Sequence, residues 1–148
     1  MTGEELAHFL AEEHTMTVAT TGPRGRPHLM PVHYFIDAGG APVTWTYARS
    51  QKTVNLERNP RATLQVEAGD AYDELRGAML EADVEIIREV ATVTEIGLLV
   101  AARNGGPPSQ PVALTARDRE RITAQAPKRV GLRFHVTRAV TWDHRKQS

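Results

Sequence analysis

"TMTVATTGPRGRPHLMPVHYFIDAGGAPVTWTYA" (residues 15–48) holds three apolar, β-branched runs separated by turn residues, with no helical period between them. Thr15–Thr20 alternates as a strand. "TGPRGRP" (residues 21–27) reads as a turn, and His28–Asp37 as a second strand. "AGG" (residues 38–40) turns the chain again into a third strand, Pro42–Ala48. Strands that follow one another without a crossover helix pair antiparallel, so this stretch predicts an antiparallel sheet rather than a doubly wound parallel one.

The rest of the chain extends that pattern. Arg61–Glu67 alternates cleanly, with Ala62, Leu64 and Val66 on one face. Leu75–Ile87 is a longer strand whose buried face is Ala78, Leu80, Ala82, Val84 and Ile86. Arg129–Trp142 closes the set, with Val130, Leu132, Phe134 and Val136 on one face. Helices are expected at the periphery. Thr2–Glu13 is amphipathic, and Thr2 with Glu5 forms a capping box. Ser50–Asn59 is capped by Ser50 and ends before Pro60. Val90–Ala101 has helical spacing, and Thr115–Ala126 is capped by Thr115 with Asp118. The expected fold is mainly β: a six-stranded antiparallel barrel with peripheral helices, in a single domain over residues 1–148.

Composition narrows the function. Lys+Arg and Asp+Glu are both 18, which argues against a general nucleic-acid or membrane-surface binder. With 3 Phe, 2 Trp and 3 Tyr there is little to stack single-stranded bases on. The chain has no cysteine, so disulfides, thiolate metal sites and a cysteine nucleophile are excluded. It shows neither a signal peptide nor an apolar run that would span a bilayer, and a soluble, cytoplasmic protein is expected. No HExxH and no GxSxG is present. A metal site would have to be assembled through space from the six histidines.

One cluster stands out in this neutral chain. Arg49, Ser50, Lys52 and Thr53 crowd the predicted start of a helix, where unpaired N–H groups and the positive dipole end favour an anion. Two readings remain open on spacing alone, a phosphate site and an ordinary capped surface helix. Pro31 sits inside an apolar strand and cannot donate to a ladder. It marks an edge, a bulge, or a place where a flat ligand lies alongside. Trp142 near the C-terminus implies that the tail packs on something, such as a partner subunit.

Four segments in order resemble the pyridoxamine-5′-phosphate-oxidase-like flavin-binding split barrels, over nearly the whole chain. They are "TVATTGPRGRPHLMPVHYFID", "SQKTVNLERNPRATLQVE", "YDELRGAMLEADVEII" and "TWDHRK". The nearest likeness is to the actinobacterial branch that uses the deazaflavin coenzyme F420. The resemblance implies a homodimer with cofactor sites at the subunit interface, binding F420 or FMN. It places Lys52 and Ser50 on the cofactor phosphate, helped by Arg49 and Thr53. Met30, Pro31, Val32 and His33 would line the ring, Thr46 the ribityl region, and Asn55 would support the loop. Trp142 would reach the site from the other chain. The implied activity is hydride transfer to a small conjugated electron acceptor, with His33 as a candidate proton donor. The further arginines on the classical oxidase's substrate side find no match, which argues against vitamin-phosphate oxidation. The alternatives are a sequestering protein without turnover, or a haem-binding split barrel using His28, His33 or His135.

Overall fold

The expected strand His28–Asp37 breaks at Tyr34, and that break shapes the sheet. In the computed structural model, which describes residues 1–107 and 110–147, the chain runs α1 (Gly3–Glu12), β1 (Thr15–Thr21), β2 (Pro27–His33), β3 (Phe35–Ile36) and β4 (Pro42–Tyr47). It continues through α2 (Gln51–Arg58), β5 (Arg61–Ala68), β6 (Arg76–Ile87), α3 (Val90–Asn104), α4 (Ala116–Gln125) and β7 (Arg129–Asp143). The described strands form one 7-stranded sheet in the order β2-β1-β5-β6-β7-β4-β3. Every pairing in it is antiparallel. The mainly β, antiparallel architecture is the expected one. The count of six strands is corrected to seven, because Tyr34 turns inward and divides one predicted strand into two.

β2 and β3 sit at opposite ends of the strand order yet are separated by one residue. Only a sheet that curls back on itself can satisfy both facts. The seam is fastened where the Thr44 hydroxyl donates to the His33 carbonyl at 2.6 Å. Tyr34, fully buried at the turn, donates its hydroxyl to the Leu10 carbonyl at 2.6 Å and so ties the seam to α1.

Alternation then fills the interior. Met16 and Val18 of β1, Leu64 and Val66 of β5, Ala78 and Leu80 of β6, and Leu132 and Phe134 of β7 share one core with Phe9, Tyr34 and Leu56. A second, smaller cluster of Val43, Ile96 and Val100 lies where α3 covers the sheet. There Gly97 lets the Trp45 ring approach the helix backbone; a Cβ would lie 2.7 Å from a ring atom. The predicted buried face of β7 holds through Phe134 but fails at Val136, which is 40% exposed. A bulge opposite Glu81/Ala82 leaves Thr137 out of register and re-aims the strand at that point. Both terminal-turn predictions hold, since Thr2 with Glu5 and Thr115 with Asp118 form capping boxes. No described helix is long and apolar enough to cross a membrane.

Candidate functional site

α2 bridges β1 and β4. On one side the Asn55 amide, fully buried, donates to the Thr20 hydroxyl of β1 at 3.0 Å and accepts from Gln51 at 2.7 Å. On the other side Lys52 Nζ donates to the Thr46 hydroxyl of β4 at 2.6 Å. Ser50 caps the helix, its Oγ accepting from the Thr53 N–H at 3.4 Å. Thr53 Oγ1 donates to the Tyr47 carbonyl at 3.0 Å, so the 3.0 Å contact between Ser50 and Thr53 uses the serine proton. The Thr46 and Ser50 hydroxyl oxygens are 3.5 Å apart. Ammonium and hydroxyls thus form a chain of donors running from Lys52 through Thr46, Ser50 and Thr53.

Lys52 is only 7% exposed. An ammonium has three donors, and a single hydroxyl is its one hydrogen-bond acceptor among the described residues. Buried charges are normally paired with an opposite charge. Among the described residues Lys52 forms no ion pair with a carboxylate. The charge that does act on it is another cation. Burial first, and then the Arg129 guanidinium, hold the Lys52 pKa below the ordinary lysine value. Chemically, a cation at a helix N-terminus with one of its three donors used, on the Thr46 hydroxyl, can hold an anion.

Arg129 was not singled out by the sequence. It opens β7 opposite Tyr47, and its guanidinium carbon lies 3.8 Å from the Tyr47 ring centre and 4.4 Å from that of Trp45. Its Nε is buried without a hydrogen-bond partner, while an NH2 donates to Gln125 at 3.0 Å. It lies 77 positions after Lys52, so only strand pairing could have linked the two.

The other nominated residues spread along the seam and beyond it. Arg49 is exposed beside the α2 N-terminus. Pro31 lies on the edge strand β2, the edge being one of the readings that its missing donor left open. Met30 is 43% exposed and Val32 half-buried against the core. His33 is exposed, and its Nδ1 donates to the His14 carbonyl at 3.1 Å. His28 and His33 face opposite sides of β2, and His135 bonds Glu85 at 3.0 Å. Trp142 packs on Gly77 near the far end of β7 from Arg129. A cleft of about 600 Å³ lies among Thr20, Thr21, Arg61, Glu81, Asp83 and Thr137. None of the nominated residues lines it.

Comparison with known proteins places this arrangement. The family model described as pyridoxamine 5'-phosphate oxidase matches residues 2–143. The structure of conserved hypothetical protein Rv2991 from Mycobacterium tuberculosis is 38% identical with a TM-score of 0.87, covering 99% of this chain and 88% of that one. A structure described as an F420 reductase shares the fold at 21% identity and a TM-score of 0.68, covering 90% of this chain and 94% of its own. HutZ, the haem storage protein of Vibrio cholerae, shares it at 13% identity and a TM-score of 0.70, covering 95% and 93%. No curated protein gives a significant match. With a family model spanning nearly its whole length and the mycobacterial structure matching end to end, the chain belongs to the pyridoxamine 5'-phosphate oxidase family.

Proposed function

We propose that this protein is a deazaflavin- or flavin-dependent oxidoreductase acting as a homodimer, with F420 favoured over FMN. The observation that carries the reading is the buried, carboxylate-free ammonium of Lys52 beside the hydroxyls of Thr46, Ser50 and Thr53. These residues suit a cofactor phosphate, which would supply the missing counter-charge. The sequence likeness to the F420-using branch supports the deazaflavin, and a fold neighbour described as an F420 reductase is in keeping with it.

In this reading the cofactor carries the redox chemistry, a two-electron hydride transfer, and the protein binds, orients and excludes water. Thr46 would hold the ribityl region, and Asn55 fixes α2 against β1 so that Lys52 keeps its place. Met30, Pro31, Val32 and His33 would line the ring along the β2 edge. His33 is the candidate proton donor to an acceptor that takes up a hydride: a flat, conjugated, electron-poor molecule such as a quinone, enone or tetrapyrrole. Leu29 at 60%, Met30 at 43%, and Val136 and Val140 at 40% exposure leave apolar surface on β2 and β7 for a second copy to cover. That copy would also bring Trp142 to the site.

Titration of the protein with F420 and with FMN, followed by fluorescence or calorimetry, tests the reading. Lys52→Ala is expected to weaken binding tenfold or more, about 1.4 kcal/mol. If neither cofactor binds the wild type, the reading fails. Tight binding with no reduction of any acceptor would point instead to a sequestering protein.

A further inference from the structure

We propose that Asn104 is a site of spontaneous deamidation, reached when the last turn of α3 opens, and that the reaction cuts a tie between α3 and the β2–β3 seam. The inference is independent of the cofactor reading.

The sequence has three asparagines, Asn55, Asn59 and Asn104. Only Asn104 is followed by glycine, in Asn104-Gly105-Gly106. In deamidation the backbone nitrogen of the next residue attacks the side-chain carbonyl. At Gly105 no Cβ crowds that approach, and the backbone rotates freely once the helix end opens. Asn59 precedes Pro60, which has no N–H to lose. Asn55 precedes Leu56 inside α2, and both are buried. Asn104 ends α3 half-buried, and Gly105 beyond it is exposed, so water reaches this end of the helix.

The closed structure restrains the reaction in two ways. Asn104 is helical and Gly105 continues in helical geometry, at φ −79° and ψ −8°, which points the Gly105 nitrogen away from Asn104 Cγ. The carboxamide is also held. Its Nδ2 donates to the carbonyls of Val100 at 2.8 Å and Tyr34 at 3.3 Å. Its Oδ1 therefore faces His14, whose Nδ1 donates to it at 3.1 Å. These bonds tie α3 to the link between α1 and β1, and to the residue at which β2 gives way to β3. Helix ends fray at low cost compared with unfolding of the whole domain. Fraying of this last turn releases both restraints together.

The chemistry needs only solvent. The Gly105 nitrogen gives up its proton and bonds to Asn104 Cγ. The Cγ–NH2 bond breaks, ammonia leaves with a proton, and a succinimide ring is closed. Water then opens the ring at either of its carbonyls, leaving aspartate or its β-linked isomer at position 104. Neither product keeps the amide donor on which the Val100 and Tyr34 carbonyls rely. The new carboxylate also stands at the negative end of the α3 dipole. The β-linked isomer moves a methylene from the side chain into the backbone. The modified chain thus cannot remake the closed end of α3.

The test is a set of ageing rates. Wild type, His14→Ala and Asn55→Ala are incubated at mildly alkaline pH, folded and in guanidinium chloride, then digested and mapped by mass spectrometry. Labelling with an isoaspartyl methyltransferase reports the β-linked product. In the folded proteins the modification is expected at Asn104 and not at Asn55 or Asn59. The folded wild type should react roughly tenfold or more slowly than the unfolded chain. His14→Ala should speed the folded reaction roughly two- to tenfold, the worth of one hydrogen bond, and leave the unfolded rate alone. Asn55→Ala loosens α2 instead, and should leave the folded rate at Asn104 unchanged. In a parallel measurement, Asn104→Asp should melt at a lower temperature than wild type. The proposal is overturned if folded and unfolded chains react equally fast, or if neither folded wild type nor folded His14→Ala yields product. It is also overturned if His14→Ala reacts no faster than wild type, or if Asn55→Ala accelerates as much as His14→Ala, which would route the reaction through global unfolding. An Asn104→Asp variant as stable as wild type would overturn the claim that a tie is cut.

Discussion

Two cations are buried to the same degree in this molecule, and they are treated in opposite ways. Arg103, 8% exposed on α3, donates to the carbonyls of Tyr34, Leu10, Ala11 and Glu13 at 2.6, 3.0, 3.1 and 2.8 Å. It satisfies the orphan carbonyls at the C-terminal end of α1, where the helix dipole is negative, and its guanidinium stacks on Tyr34 at 4.6 Å. Burial pushes the Tyr34 hydroxyl pKa up to about 12, so that residue stays neutral beside it. Lys52, 7% exposed, meets one hydroxyl and a second cation. A buried cation that meets four backbone carbonyls holds the scaffold together. One whose donors are mostly left over is poised for a ligand.

Removing Arg103 gives the largest effect. Arg103→Met takes the guanidinium donor from the Ala11 and Glu13 carbonyls and one of two donors from those of Leu10 and Tyr34, and is expected to cost about 3 kcal/mol or more of stability in urea or thermal denaturation. The matching change, Lys52→Met, should cost the ligand-free protein less than about 1 kcal/mol, and could raise its stability, since it removes an unpaired buried charge. Equal losses in the two variants would break the comparison.

Asn55 stands between the two cases, because it anchors the scaffold and positions the site. Asn55→Ala leaves Thr20 without its donor and Gln51 without its acceptor, so about 1–2 kcal/mol of stability should be lost. Cofactor affinity should fall with it. Normal affinity in a destabilised variant would show that α2 holds its position without this tie.

The smallest effect is also the most diagnostic. Lys52 has a lowered pKa in the folded protein, so between that value and the ordinary lysine value of about 10.4 the unfolded chain binds more protons. Stability of the free protein should therefore rise with pH across that window. Affinity for a phosphate-bearing cofactor should fall across the same window, as the ammonium loses its charge. Lys52→Arg should remove both trends. Trends of the same sign in affinity and stability would sink the assignment of an unpaired cation at this site.

Much of this was legible in the sequence. β-branched alternation and turn residues specified the strands, Ser50 and Pro60 framed α2, and Pro31 announced an edge. These are local effects of backbone sterics and hydrogen-bonding side chains, and neighbouring residues suffice to express them. Tyr34 was harder. It interrupts an apolar run with no Gly or Pro next to the break, and its burial between α1 and the seam explains it.

What the sequence determined by itself was a mainly β antiparallel chain with a basic, hydroxyl-rich helix start, because periodicity and capping act over a few residues. The tertiary structure alone decided that the sheet curls until β2 and β3 meet the same seam. It alone decided that Lys52 is buried with no carboxylate partner among the described residues, and that the Arg129 guanidinium packs against the rings of Trp45 and Tyr47. Those facts depend on strand order and on what fails to come near a charge, and residues far apart in the chain carry no local signal of either.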